Sequence, residues 1–170
     1  AHLAELDPFD LLLIEQPLPE HDVRGHAELA KRIRTPVCLD ESIESAADAA
    51  EAIAMGACAI VNIKPGRVGW YLEARRVHDV CAANDIPVWC GGMLETGIGR
   101  AANVALAALP NFTLPGDTSA SDRYFREDLT EPFVLEEGRL RVPTGPGIGV
   151  TPDADRIDAA TTSVETVRPS

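Results

Sequence analysis

The chain has 170 residues, of which 45% are hydrophobic and 25% are charged, and its formal net charge is −12. This composition is typical of a globular domain with a substantial core. The negative charge argues against nucleic acid as a partner, because phosphate binding requires basic patches. No apolar run approaches the roughly 20 residues of a membrane span, and the first residues form no basic leader, so we expect no membrane association and a cytoplasmic location.

In chain order, short apolar runs alternate with segments of helical periodicity. The runs predict strands over 9–17, 35–42, 58–66, 86–92 and 111–117, and the periodic segments predict helices over 22–34, 45–57, 71–85 and 97–110. Strands that are apolar throughout are buried on both faces, and helical connections between them indicate a parallel sheet. The fold class is therefore α/β.

The strand ends recur at nearly equal intervals of 24 to 27 residues, from Glu15 through Asp40, Lys64 and Gly91 to Asp117. Equal βα units favour a TIM-like (β/α) barrel over a doubly wound sheet. Only about five units are present, so we expect the C-terminal part of such a barrel, without its first strands. A hairpin over 133–142 and a loop over 143–150 follow. We assign 1–152 to the partial barrel and 153–170 to a C-terminal helix and tail.

The four cysteines are predicted to be buried free thiols. Cys38, Cys58, Cys81 and Cys90 form no C-x-x-C pair, and three of them lie in apolar surroundings. A zinc site or a disulfide framework would require closer or paired spacing. Reduced thiols also agree with a cytoplasmic location.

Acidic side chains end the first two strands. Glu15 and Asp40 would point into one barrel mouth, where two carboxylates suit a hard divalent cation such as Mg²⁺, with Mn²⁺ as the alternative. The competing interpretation makes them helix caps or salt-bridge partners. A cap suits Glu41 better than Glu15, because a proline and a loop follow Glu15 closely.

Lysine is rare in this chain, with 2 Lys against 13 Arg, and Lys64 ends the third strand. Arginine keeps its proton in proteins, whereas lysine is able to act as a base. A cation beside a lysine suits removal of a proton alpha to a carboxylate, because the cation stabilises the enolate while the amine moves the proton. The alternatives are a strand-end charge that snorkels to solvent and a Schiff-base lysine of an aldolase barrel.

Several motifs together resemble one family. "IEQPL" (14–18), "CLDES" (38–42), "VNIKPGRVG" (61–69), the long segment over 88–125 and "VPTGPGIGV" (142–150) are similar to the o-succinylbenzoate synthase / N-acylamino acid racemase family. This family belongs to the muconate-lactonising subgroup of the enolase superfamily. Its fold is a modified (β/α) barrel with an N-terminal capping domain.

The resemblance implies roles for particular residues. Glu15 and Asp40 would be two of three Mg²⁺ ligands, and Lys64 would be the catalytic lysine on one side of the substrate. The pocket would be lined by Gly91, Gly92, Met93 and Leu94 and closed by Asp117 and Thr118. Glu41 would support a neighbouring ligand, and Glu95 would either border the pocket or place a negative charge at a helix N-terminus.

The sequence departs from the family pattern in two ways. The third ligand, an Asp, and the partner lysine of a K-x-K motif belong to earlier strands in the family. The sequence begins after those strands, so we expect the chain alone to lack a complete site. In addition, Trp70 stands where a second glycine is expected after Gly69.

The resemblance implies a small carboxylate substrate and a homo-oligomeric intact protein. The first hypothesis is Mg²⁺-dependent syn dehydration of a cyclohexadiene carboxylate to o-succinylbenzoate, in menaquinone synthesis. There the K-x-K lysine abstracts the proton and Lys64 stays cationic. The second is racemisation of N-acylamino acids, with Lys64 as the second base. The third is of another class: an inactive fragment, or half of a split barrel that needs a partner chain.

Overall fold

Four parallel strands form one sheet in the order β1-β2-β3-β4. The structure is a computed structural model and describes residues 2–167. The strands are β1 (Ile14–Glu15), β2 (Val37–Leu39), β3 (Ile60–Ile63) and β4 (Val88–Cys90). Ile14 pairs with Val37, Leu39 with Val61, and Ile63 with Cys90. Neighbours in sequence are therefore neighbours in the sheet, as in a barrel.

A helix follows each strand. These helices are α1 (Val23–Ala30), α2 (Ala46–Ala54), α3 (Tyr71–Ala83) and α4 (Gly97–Leu106), and α5 (Ala154–Ala160) comes near the end of the described chain. Asp22 caps α1 and Ser45 caps α2, each accepting a hydrogen bond from a backbone N–H of the first turn. Gly56, with φ of 67°, follows the end of α2 in the left-handed conformation that terminates many helices.

The predicted fifth strand over 111–117 was wrong as a regular strand. The segment makes a single parallel bridge between Phe112 and Val88. Proline is a poor ladder residue because it has no N–H; Pro110 directly precedes the segment and Pro115 lies within it. The side-chain amide of Asn111 donates to the Ile86 carbonyl at 2.8 Å and holds the segment beside β4.

Two other boundaries differ from the sequence prediction. The start of the predicted first strand lies in a 3₁₀ helix over His2–Phe9, and pairing begins only at Ile14. The hairpin over 133–142 reduces to one antiparallel bridge between Glu136 and Arg139. An isolated two-stranded hairpin is marginal in water, which accounts for its short ladder.

Side chains alternate between two faces of the sheet. The helices cover one face and enclose the main core, to which the strands contribute Val37, Leu39, Val61, Ile63, Val88 and Cys90. The opposite face, which we call the site face, carries Cys38, Ile60 and Trp89, packed with Leu13 and Leu114. Both faces of the central strands are therefore buried, as the continuous apolar runs predicted. Within residues 2–167, no helix is both long and apolar enough to cross a membrane.

Candidate active site

Strand alternation places the predicted site residues on the site face. Successive side chains of a strand point to opposite faces, so residues two or four positions apart share a face. Each predicted site residue lies two positions after an apolar residue of the site face, except Lys64, which lies four positions after one. The pairs are Leu13 with Glu15, Cys38 with Asp40, Ile60 with Lys64, and Trp89 with Gly91. The carboxyl ends of the parallel strands thus bring two carboxylates and one ammonium group to the same edge.

Lys64 and Asp40 form an ion pair. Nζ of Lys64 lies 2.7 Å from Oδ2 of Asp40, and the two side chains are 17% and 4% exposed. Arg67 approaches the same aspartate, with Nη1 2.6 Å from its Oδ1. That Nη1 donates its hydrogen bond to the Asp40 backbone oxygen at 2.6 Å, so Oδ1 accepts no hydrogen bond. One buried carboxylate is therefore neutralised by two cations.

Glu15 lies on the edge strand and accepts one hydrogen bond, from Nδ2 of the buried Asn62 at 2.7 Å. Partial burial raises the pKa of the Glu15 carboxyl. The Asn62 hydrogen bond opposes that rise, and the negative charge of Asp40 adds to it. The electrostatic influence of Asp40 agrees with two carboxylates that share one edge of the sheet.

Gly91 leaves room for the lysine. A Cβ atom at this position would lie 2.5 Å from both Oδ1 of Asn62 and Cε of Lys64. A contact that short requires a neighbour to move, and one of these neighbours is a buried amide. The glycine therefore lets the Lys64 side chain lie against the end of β4.

The next residues form a loop between β4 and α4. The Gly92 N–H donates to Oδ1 of Asp117, which ties this loop to the segment after the Phe112 bridge. Met93 and Leu94 are 53% and 74% exposed. Thr118 lies beside the Cys90 thiol. The structure thus brings most of the predicted pocket residues to the ends of β3 and β4.

Glu41 and Glu95 occupy different environments. Glu41 is exposed, and its charge is among the influences that raise the Glu15 pKa. Glu95 is half-buried and accepts hydrogen bonds from Met93 and Asn103. Glu95 directly precedes Thr96, the N-cap residue of α4, so its charge lies at the helix N-terminus while its hydrogen bonds hold the loop.

Three residues that contact the site were missed by the sequence analysis. Gln16 accepts hydrogen bonds from the backbone N–H groups of Asp40 and Ser42 at 2.9 and 3.3 Å. Asn62 and Arg67 hold Glu15 and Asp40 as described above. Period-two alternation back from Lys64 would have found Asn62, whereas no local pattern marks Arg67, because a loop carries it.

Oxygen atoms of this edge fit a hard cation in part. Within residues 2–167, no group of three His, Cys, Asp or Glu side chains is placed to hold a metal ion. Two carboxylates are nevertheless a common protein contribution to Mg²⁺ sites, where waters and substrate complete the coordination. Oδ1 of Asp40 is buried and accepts no hydrogen bond, but Nη1 of Arg67 lies 2.6 Å from it, so the arginine would have to move before this oxygen could bind a cation.

A separate cavity of about 740 Å³ opens in the C-terminal part of the chain. Its lining includes Phe125, Asp128, Phe133 and Arg156 but none of the residues predicted for the site. The cavity therefore does not bear on the chemistry of the strand ends.

The sequence profile of enolase C-terminal domain-like proteins matches residues 1–156. The chain belongs to the enolase C-terminal domain-like family. This membership confirms the fold class expected from the repeated βα units. The resemblance drawn from the motifs is also confirmed. Relatives of this chain are named o-succinylbenzoate synthase and N-succinylamino acid racemase.

Two relatives illustrate the match of this enolase-family chain. It is 74% identical over 161 residues to an N-succinylamino acid racemase from Amycolatopsis, covering 95% of this chain and 44% of the relative. It is 51% identical over 156 residues to an o-succinylbenzoate synthase from Bacillus subtilis, covering 91% and 42%. The chain thus spans less than half the length of these relatives.

Two solved structures have the same fold as this chain. A superfamily member from Listeria innocua superposes with a TM-score of 0.91 at 49% identity, covering 95% of this chain and 44% of that one. A 2-chloromuconate cycloisomerase from Rhodococcus opacus superposes at 0.88 with 23% identity, covering 95% and 44%. The second likeness concerns the fold alone.

Proposed function

We propose that the protein to which this chain belongs removes the proton alpha to a carboxylate and, by this chemistry, dehydrates a cyclohexadiene carboxylate to o-succinylbenzoate in menaquinone synthesis. The observation that carries the proposal is the Lys64–Asp40 pair at the strand ends, 2.7 Å apart and largely buried. The o-succinylbenzoate synthase from Bacillus subtilis, 51% identical, supports the choice of substrate.

The carboxylates of Glu15 and Asp40 would hold Mg²⁺ or Mn²⁺. When bound, the cation would stabilise the negative charge that develops on the substrate carboxylate as the α-proton leaves. Asn62 orients Glu15, and Gln16 fixes the backbone at Asp40. Arg67 keeps a second positive charge at Asp40. Held in this way, the two carboxylates stay at the strand ends, and the side chains of Lys64 and Arg67 would move away from Asp40 to admit the cation.

Lys64 would lie on one side of the substrate α-carbon. In dehydration it remains an ammonium group and stabilises the enolate through its charge, while another base takes the α-proton and then delivers it to the departing hydroxyl, which leaves as water. Gly91 allows the lysine to occupy this place, and the exposed Met93 and Leu94 provide an apolar border. The activity belongs to the intact protein, because the chain spans 44% or less of these relatives.

Racemisation of N-succinylamino acids is the second candidate, favoured by the 74% identity to the Amycolatopsis racemase. It requires a base on each side of the α-carbon, so Lys64 must accept and return a proton. The same constellation serves both reactions, and the difference lies only in whether Lys64 moves a proton or remains charged.

The experiment compares the intact protein with its Lys64→Arg and Lys64→Ala variants on both substrates. Deuterium exchange at the α-carbon in D₂O is followed by NMR, with Mg²⁺ and with EDTA. We expect Lys64→Arg to lose racemisation by about 10²-fold or more, as for the loss of a general base, while it retains part of the dehydration. Lys31→Arg is the matched control, since Lys31 is the other lysine and is an exposed partner of Glu28. A wild type without turnover or exchange on either substrate contradicts the proposal.

A further inference from the structure

The loop from Gly91 to Thr96 presents two large apolar side chains to solvent. Met93 is 53% exposed and Leu94 is 74% exposed, and Met93 comes two residues after Gly91, the glycine that lies against Lys64. Apolar side chains on a loop beside a reactive group are useful as a substrate border only if the loop is held in place.

Glu95 fastens this loop with both of its oxygens. Oε2 accepts a hydrogen bond from the Met93 backbone N–H at 2.7 Å, and Oε1 accepts one from Nδ2 of Asn103 at 2.9 Å. Charge-assisted hydrogen bonds of this kind are the stronger ones in proteins. The carboxylate therefore bridges the loop backbone to the body of α4.

Asn103 is the fixed end of the bridge. It lies within α4, is 2% exposed, and directs its amide at the Glu95 carboxylate. Gly99 on the same helix makes the approach possible, since a Cβ there would lie 2.9 Å from Cγ of Glu95. A buried amide on a rigid helix thus determines where an otherwise exposed loop lies.

We propose that Asn103 is a positioning residue for substrate binding, acting through Glu95 on the backbone at Met93 so that Met93 and Leu94 form the apolar border for the hydrocarbon part of a succinyl-bearing carboxylate. The inference rests on the proposed function. Asn103 itself touches neither substrate nor reacting atoms. Its loss displaces the border and leaves the Lys64–Asp40 pair in place, so substrate affinity falls more than the rate of the chemical step.

The test uses the intact protein and steady-state kinetics at pH 8. Asn103→Asp and Asn103→Leu both remove the amide donor, and the second variant also keeps the position uncharged. We expect KM for the succinyl substrate to rise about tenfold, the size that corresponds to loss of a hydrogen bond to a charged acceptor, while kcat changes less than about threefold.

A double variant supplies the rescue. In Asn103→Asp with Glu95→Gln, the new amide donates to the new carboxylate and still accepts from the Met93 N–H, so the bridge is restored with donor and acceptor exchanged. We expect KM to return to within about twofold of the wild type. Asn84→Asp is the matched control, because it removes an amide bond to the Val80 carbonyl at the end of α3 and should lower thermal stability without a change in KM.

The outcomes separate the two proposals. A wild type without α-proton exchange overturns both the proposed function and this inference. Exchange by the wild type, together with an unchanged KM in the Asn103 variants or no recovery in the double variant, overturns this inference alone. A fall in kcat equal to the rise in KM would assign Asn103 to the chemical step and would also overturn it.

Discussion

Nζ of Lys64 lies 2.7 Å from Oδ2 of Asp40, although the two residues are 24 positions apart in the chain. The pair exists because β2 and β3 are parallel neighbours whose carboxyl ends meet at one edge. With Arg67 on the same aspartate, three ionisable groups are held together at the end of two strands. Such clusters are typical of active sites. Because the contact with Asp40 fixes the Lys64 ammonium group, a change that disturbs this contact would displace the lysine.

Gly91→Ala is expected to damage the site through steric conflict. The added Cβ would lie 2.5 Å from Cε of Lys64 and Oδ1 of Asn62, so the lysine must move from Asp40. We expect kcat of the intact protein to fall about 10²-fold, as misplacement of a reacting group by an ångström does. Overpacking should also lower the unfolding free energy by roughly 1–3 kcal/mol.

Gly66→Ala is the control for this substitution. A Cβ at Gly66 meets no atom within 4 Å and the residue is exposed, although it lies in the loop directly after Lys64. We expect activity and melting temperature close to those of the wild type. Equal losses in the two variants would show that alanine in this region is harmful for a reason other than the contact with Lys64.

A buried ion pair between Arg100 and Asp128 joins α4 to the C-terminal segment. Nη1 of Arg100 lies 3.4 Å from Oδ2 of Asp128, and each side chain is 1% exposed. Asp128→Asn should lower the unfolding free energy by about 3–5 kcal/mol, because it leaves the Arg100 charge buried without its partner. Thermal or urea unfolding measures the loss, with Asp122→Asn, an exposed change in the same segment, as the control.

Asp128 should also make the stability of the folded protein depend on pH. Burial acts to raise the pKa of Asp128, but hydrogen bonds from Ser121 and from the backbone N–H groups of Gly97 and Leu129, together with Arg100, lower it below its ordinary value of 3.8. A carboxyl group whose pKa is lower in the folded state than in the unfolded state stabilises the folded protein at pH values above its unfolded-state pKa. This contribution is lost as the pH falls through the folded-state pKa. The difference in stability between wild type and Asp128→Asn should persist at pH 5 to 7 and narrow below about pH 4. A constant difference down to pH 3 would contradict this.

Trp70 has the backbone conformation of a glycine. Its φ of 86° and ψ of −168° lie in a region that side chains rarely enter, at a cost of about 1–3 kcal/mol. Trp70→Gly relieves this strain, whereas Trp70→Ala keeps it and loses the indole contacts. We expect the glycine variant to have the higher unfolding free energy by about 1–2 kcal/mol, measured in urea. The opposite order would show that no strain is stored at this position.

The four cysteines should be unreactive in the folded protein. Burial raises the pKa of the Cys38, Cys58, Cys81 and Cys90 thiols to about 12, so little thiolate forms at pH 8. Alkylation of the intact protein with iodoacetamide, mapped by mass spectrometry, should label these positions only after unfolding. Labelling of Cys38 in the native state would show that the site face opens to solvent.

Much of the site could be predicted from the sequence, because strand ends and period-two alternation determine which residues meet. Glu15, Asp40 and Lys64 each end an apolar run, and the parallel order of the strands brings them to one edge. Arg67 could not be found in this way, because its contact with Asp40 depends on the path of a loop. Glu95 was found as a candidate, but its hydrogen-bond partners were not, because they come from its own loop and from a helix.

Trp70 shows what local sequence patterns do and do not determine. The family pattern predicted a glycine at this position, and the backbone has the positive φ that a glycine would explain. The chain therefore carries a tryptophan side chain on a backbone conformation that favours glycine. Surrounding contacts, such as the bond from the Trp70 N–H to the Pro65 carbonyl at 2.7 Å, impose the conformation.

The division of the sheet into two faces also bears on folding. If β2 shifted by one residue against its neighbours, Asp40 would turn into the apolar layer under the helices, and a corresponding shift of β3 would carry Lys64 there. An isolated charge in such a layer is strongly unfavourable. The residues proposed to bind and transform the substrate therefore also discriminate against misaligned strands, so neutral substitutions at Asp40 and Lys64 would make alternative registers more accessible.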